Sequence, residues 1–252
     1  MFATENASES SIRIFSFQQD NKINRLVWSC LAFQAGAINA GGFLACHRFV
    51  THTTGFATQL GFDLAILKWQ DALGMLTVPL FFMAGSMISG YYVDRPLIEK
   101  RPPQFYNLFL MISCFMFGIV VLGEAGLFGD FGKEFDIASS YLLIALLCMS
   151  SGIQNAMTTT GSVNNVRTTH LTGHTTDLGV SLVKSIYIAD KKARNLERNK
   201  NQVRVLVIAA FILGSVASSY LFLNFNFFGF ILPGIISLIF YALSKRDRRQ
   251  HD

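Results

Sequence analysis

The residues in this chain best suited to chemistry come in two matched phrases. THTTGFATQLGFDL (residues 51–64) and THLTGHTTDLGVSL (residues 169–182) agree at eight of fourteen positions. Unrelated segments would share about one. His52 and His170 are the repeated ionisable residues. Imidazole titrates near neutrality, so both are candidate proton-titrating groups, although an interfacial histidine bonded to backbone is the plainer reading. Thr54, Thr58, Thr172 and Thr176 bring hydroxyls, and Gly55 and Gly173 allow a sharp backbone turn. Thr54 and Thr172 are candidate N-caps for the helices that follow. The free N–H groups of such helix starts would favour an anionic or electron-rich group. The amides of Asn39 and Asn155 could complete a polar lining. Structural capping and site lining are both open for each Thr-Gly pair.

Other chemistry is poorly represented. His170 and His174 lie four apart and could touch one metal on a helix, but no further ligands accompany them, so no metal is assigned. Asp63 and Asp177 fall at non-equivalent places in the two phrases and read as surface or first-turn carboxylates. Glu124 reads as a boundary residue. There is no Gly-x-Ser-x-Gly, no phosphate-binding Gly-Lys-Thr loop and no His-Glu-x-x-His. No catalytic residue and no cofactor are assigned, and the chain is not expected to be an enzyme.

The elements that must position these residues follow from charge and hydropathy. The 252 residues are 51% hydrophobic and only 15% charged, against about 25% charged in soluble domains. No Asp, Glu, Lys or Arg occurs in 26–47, 72–93, 102–123, 137–166 or 205–244. A helix crosses the hydrocarbon core in about 20 apolar residues. The first four runs each hold one crossing. The fifth holds two, joined by a tight polar turn at Asn224-Phe225-Asn226. Six transmembrane helices are expected. Cys30, Cys46, Cys114 and Cys148 all fall in apolar spans without CxxC spacing, which points away from disulfides and zinc. The polar N-terminal stretch lacks the apolar core of a cleaved signal peptide, so the first helix is expected to act as an uncleaved anchor.

Lys and Arg concentrate on cytoplasmic flanks. With the N-terminus inside, eighteen of the 21 basic residues fall on inner segments, and only Arg48, Lys68 and Lys133 fall outside. This predicts cytoplasmic N- and C-termini. It also gives the net charge of +5 a membrane rather than a nucleic-acid explanation. The stretch ADKKARNLERNKNQ (189–202) reads as a solvated basic loop, with contact to anionic headgroups as the alternative.

The duplication extends beyond the opening phrases. Gly36-x-x-Asn39-Ala40 corresponds to Gly152-x-x-Asn155-Ala156. Phe82-x-x-Gly85-Ser86-x-x-Ser89-x-Tyr91 corresponds to Phe211-x-x-Gly214-Ser215-x-x-Ser218-x-Tyr220. The Gly-x-x-x-Ser spacings place small residues one turn apart, which suits close helix packing. The organisation expected is a polar tail (1–25), a three-helix repeat (26–128), an outer loop (129–136), a second three-helix repeat (137–244) with a basic insert (189–202), and a basic tail (245–252). Three crossings per repeat is odd, so the second copy must be inverted in the bilayer, as in many transporters. The fold class expected is an all-α membrane protein of two inverted-topology repeats. Each would carry a broken or re-entrant Thr-Gly segment, with Gly41-Gly42 helping the first helix to break. Each would also carry a helix too short to span (56–69 and 174–188), either interfacial or re-entrant.

The paired phrases GAINAGGF…THTTGFATQLG and SGIQNAMTTT…VRTTHLTGHTTDLG resemble the YoaK-type family of bacterial membrane proteins, a domain of unknown function, over nearly all of residues 26–244. The family's first motif usually has an acidic residue where this chain has Asn39, and Asn where it has Phe56. The second copy fits the family pattern better. The resemblance implies a bacterial inner membrane and brings no substrate. The function expected is a small-solute transporter or channel with its site between the repeats, lined by Asn39, Thr54, Gly55, Thr58, Asn155, Thr172, Gly173 and Thr176. The alternative is a non-transporting scaffold or partner protein, and a membrane-embedded enzyme ranks last. The partners expected are the lipid bilayer and an unidentified solute, with no nucleic acid; self-association into a homo-oligomer is compatible with all of this.

Overall fold

Charge-free apolar runs bounded by polar clusters favour long helices, because in lipid every backbone N–H and C=O must be bonded within its own segment. The computed structural model of the chain describes residues 22–51, 53–133, 137–161, 168 and 171–249, and these contain helices and no strand. In chain order they are α1 (Lys22–Cys46), α2 (Thr54–Ala65), α3 (Trp69–Ser89), α4 (Arg95–Ile98), α5 (Phe105–Glu124), α6 (Ile137–Gly161), α7 (Leu171–Tyr187), α8 (Lys191–Phe225) and α9 (Ile231–Arg249). A π-helical turn, Gly90–Asp94, links α3 to α4, and a 3-10 turn, Asn226–Phe230, links α8 to α9. Among the described residues, four helical stretches are long and apolar enough to cross a membrane: Lys22–Cys46, Phe105–Glu124, Ser140–Thr159 and Lys191–Arg249. The last spans 59 residues and includes both α8 and α9. The break between them falls where the Asn-Phe-Asn turn was expected, with Asn226 at φ 49°.

The basic stretch after residue 189 is helical rather than a loop. The side chain of Asp190 caps α8 by accepting from the backbone N–H of Lys192 and Ala193. The Lys, Ala, Arg, Leu and Glu that follow are good helix formers. At 1.5 Å per residue, the 35 residues of α8 run to about 52 Å. That exceeds the roughly 30 Å hydrocarbon core, so a crossing by the apolar part of α8 would leave its charged first turns outside.

Packing is dominated by three helix pairs: α1 with α8, α3 with α6, and α5 with α9. The first two cross at repeated glycines. A Cβ on Gly36 would lie 2.1 Å from the Phe211 carbonyl oxygen, and one on Gly214 would lie 2.0 Å from that of Phe33. In the other pair, a Cβ on Gly152 would lie 2.1 Å from the Phe82 carbonyl oxygen, and one on Gly85 would lie 2.2 Å from that of Met149. The hydroxyl of Ser215 lies 3.1 Å from the carbonyl oxygens of both Gly36 and Phe211. Ser86 does the same with Gly152 and Phe82, at 3.3 and 3.1 Å. Backbones this close exchange side-chain volume for dispersion contact and hydrogen bonds, which lipid-embedded helices require. The packing reading of these motifs therefore holds, and it holds across the two halves rather than within one.

At the end of α1 the expected break at Gly41-Gly42 does not occur. The helix continues to Cys46. Both glycines serve packing: a Cβ on Gly41 would meet the rings of Phe222 and Phe230, and one on Gly42 would meet Val50. Phe222 and Phe230 belong to an aromatic cluster with Phe128, Phe131 and Phe227 that ties the segment after α5 to the α8–α9 turn.

Candidate functional site

Among the described residues, the helices that carry the two repeated phrases do not pack against each other. α2 packs along α3 and α7 packs along α8, with no substantial contact between α2 and α7. Thr54 opens α2, and Thr172 lies in the first turn of α7. The cap position of α2 is Thr53, whose side chain makes no capping bond. Thr54 therefore does not cap, because the helix begins one residue too early. Gly55 and Gly173 have helical backbone, so the turn lies upstream, where His47 adopts φ 54°. Thr54, Gly55, Thr58, Thr172 and Thr176 are exposed, and Gly173 is half-buried. The hydroxyls of Thr58 and Thr176 bond back to the carbonyls of Thr54 and Thr172, at 3.3 and 2.9 Å. His52 and His170 lie outside the described residues.

Asn39 is buried, and its side chain is bonded within the protein. Its Oδ1 accepts from the backbone N–H of Val50 at 3.1 Å, that of Thr51 at 3.3 Å and the Thr51 hydroxyl at 3.0 Å. One side-chain oxygen thus folds the segment that leads into the first phrase, and Thr51 is buried with it. Asn155 is half-buried in α6, and its carbonyl accepts from Thr158 and Thr159. Asp63 is not a surface carboxylate. It is buried between α2 and its neighbours, with Gln59 donating to it at 2.9 Å. The reason is register: Phe56 and Asp63 lie seven residues apart on the face of α2 turned inward, as His174 and Ser181 do on α7. Asp177 is exposed, as expected.

Other buried polar groups lie elsewhere, along the contacts of α1 with α6 and α9. Gln154 of α6 is fully buried and donates from Nε2 to the Leu31 carbonyl of α1 at 2.6 Å. The same Nε2 lies 3.3 Å from the Thr168 hydroxyl. Gln34, one turn beyond Leu31, is fully buried and contacts the Ser237 hydroxyl of α9 at 2.6 Å. Gln154 Oε1, Gln34 Oε1 and the hydroxyl of Ser151 have no partner among the described residues. For Gln154 the amide orientation is fixed, because a carbonyl can only accept. For Gln34 the partner is a hydroxyl, which can donate or accept. Either way, one end of its amide remains unmatched. Each unmatched buried group costs about 1–3 kcal/mol, and lipid supplies no replacement.

The runs that carry Gln34, Ser151, Gln154 and Ser237 contain no Asp, Glu, Lys or Arg. Gln34, Ser151 and Gln154 lie close to the middle of their runs, and Ser237 lies inside α9; a polar side chain deep in an apolar span is expensive and often functional. Sequence reasoning missed them because it followed repeated positions. At the offset relating α1 to α6, Gln34 matches Ser150, and Gln154 matches Ile38. The available signal was simpler: a glutamine inside a charge-free apolar run.

No curated protein and no solved structure matches the chain. The family described as Protein of unknown function (DUF1275) matches residues 27–243, and the chain, an all-helical protein with several membrane-spanning candidates, belongs to that family.

Proposed function

We propose that the protein is a small-solute transporter or channel of the bacterial inner membrane. Six helices (α1, α3, α5, α6, α8 and α9) would cross the bilayer as two inverted-topology repeats, with both termini cytoplasmic. The observation that carries the reading is the half-matched pair of buried amides, Gln34 and Gln154, where the first helices of the two halves meet. Polar groups at the interface of inverted repeats, near midplane, are where such proteins hold their cargo. The exchanged crossings Gly36–Phe211 and Gly152–Phe82 support the repeat reading, since each half supplies the partner of the other. They also suggest the moving parts. The pairs α1–α8 and α3–α6 are tightly packed units, whereas α1 and α6 share a much smaller contact. The polar junction lies on that thinner seam.

The rival reading, a non-transporting scaffold, draws on the exposed threonines of α2 and α7. Solute uptake by proteoliposomes across a panel of small solutes separates the two. Transport requires flux above that of protein-free vesicles and a loss of that flux in Gln154→Met. A scaffold gives neither. Thr172→Val tests whether the repeated phrase contributes.

A further inference from the structure

The chemistry of the α1–α6–α9 junction restricts what it can hold. Gln154 Oε1 is a fixed acceptor, because its Nε2 is committed to the Leu31 carbonyl. Ser151 and the unmatched end of Gln34 can each meet a donor or an acceptor. These three groups are all more than nine-tenths buried.

An ion fits poorly. Burying a charge without a counter-charge costs several kcal/mol even after relaxation, and the runs forming the junction contain no charged residue. A hard cation such as Ca2+ takes about six to eight oxygens. The junction offers three free side-chain groups, and the nearby Leu31 carbonyl is already bonded to Gln154. An anion would need fixed donors, whereas the orientation-fixed atom here is an acceptor. A neutral molecule carrying N–H or O–H groups matches the set at no electrostatic cost.

We infer that the solute taken at this junction is small and uncharged and donates hydrogen bonds to Gln154 and Gln34, in the manner of a small amide or polyol. The inference rests on the transport reading above and narrows it to a substrate class.

The test uses the full chain in proteoliposomes. Osmotic gradients of urea and of glycerol are followed by stopped-flow light scattering, and rubidium and glutamate uptake are followed as charged counterparts. Saturation-transfer NMR on detergent-solubilised protein reports binding of urea or glycerol without transport. Gln154→Met keeps the side-chain length and removes the acceptor. Ser151→Ala is the gentler variant, because it deletes a hydroxyl with no partner among the described residues. The expected result is urea or glycerol flux well above that of empty vesicles, reduced about tenfold in Gln154→Met, the scale of one buried hydrogen bond. A smaller loss is expected in Ser151→Ala, with rubidium and glutamate at background. Flux of a charged solute that depends on Gln154 would overturn the uncharged class and leave transport standing. Gln154-dependent binding of glycerol or urea without flux would uphold the class and overturn transport. Absence of both binding and flux for the neutral probes would overturn the inference.

Discussion

Gly36 of α1 and Phe211 of α8 meet backbone to backbone, and Gly152 of α6 meets Phe82 of α3 in the same way. In each case a Cβ on the glycine would lie 2.1 Å from the partner's carbonyl oxygen. The residues are repeated in sequence, but the contacts are exchanged between halves. The repeat therefore stores a pairing rule, in which the first helix of one half fits the Phe-x-x-Gly-Ser helix of the other.

The first prediction follows from that closeness. Gly36→Ala and Gly152→Ala must push two helix backbones apart, because the opposing atom is a carbonyl that cannot rotate away. Overpacking of this kind costs about 1–3 kcal/mol. Gly61→Ala and Gly179→Ala are the controls, since a Cβ there meets open space. Within a helix, alanine is favoured over glycine by about 0.5–1 kcal/mol. Thermal melts of detergent-solubilised protein should show large losses for the first two variants and none for the controls. Equal effects in all four would remove the special status of the crossings.

A second prediction concerns Asn39. Its Oδ1 collects three donors from Val50 and Thr51, and it donates nothing in those bonds. A carboxylate would accept the same three, and backbone N–H donors stabilise the charged form. Asn39→Asp should therefore fold and keep the 47–51 segment protected from proteolysis. Asn39→Leu strands two backbone N–H groups, at about 1–3 kcal/mol each, and should expose the segment to cleavage. Equal protease sensitivity in Asn39→Asp and Asn39→Leu would contradict this role.

These contacts show how far the sequence could be read. Long helices were legible because charge is excluded from lipid, and the ends of α5 and α6 fall within a few residues of the charge-free runs. The close crossings were legible as Gly-x-x-x-Ser spacing, but their partners were not, since spacing says which residues are small and not what they touch. Asp63 was misread because a carboxylate on a short helix is usually exposed. Its burial depends on how α2 lies against α3, which is a tertiary fact. Gln34 and Gln154 were hidden for a different reason. They are not repeated, so a search for symmetry passes over them, although their polarity alone marked them.

A third prediction tests the hydroxyls left unmatched at the helix crossings. Ser89 and Ser218 occupy equivalent repeat positions, are fully buried and have no partner among the described residues. Deleting an unmatched buried polar group relieves a penalty instead of removing a bond. Ser89→Ala and Ser218→Ala should melt at the same temperature as the parent or higher. Ser86→Ala and Ser215→Ala lose an interhelical hydrogen bond, worth about 0.6 kcal/mol on average in membranes. They should melt lower. Reversal of that order would show that Ser89 and Ser218 have partners that matter.

The fourth prediction is a pH dependence at the charged end of α8. Ser181 of α7 donates to Glu197 Oε2 at 2.6 Å, and Lys200 lies 3.0 Å from Oε1. The Ser181 hydroxyl first, and Lys200 after it, hold the Glu197 carboxyl below the usual glutamate range, against a smaller opposing effect of burial. A depressed folded-state value means the carboxylate stabilises the α7–α8 contact fully above the unfolded glutamate value, about 4.3. That contribution is lost as pH falls through the lower folded value. Amide hydrogen exchange in α7, corrected for intrinsic pH effects, should be flat from neutrality to about pH 5 and should accelerate only in stronger acid. Glu197→Gln should loosen α7 slightly at pH 7 and flatten the acid response. The contribution is about 0–1 kcal/mol, as for other partly exposed pairs. An unchanged acid response in Glu197→Gln would mean that another group anchors α7.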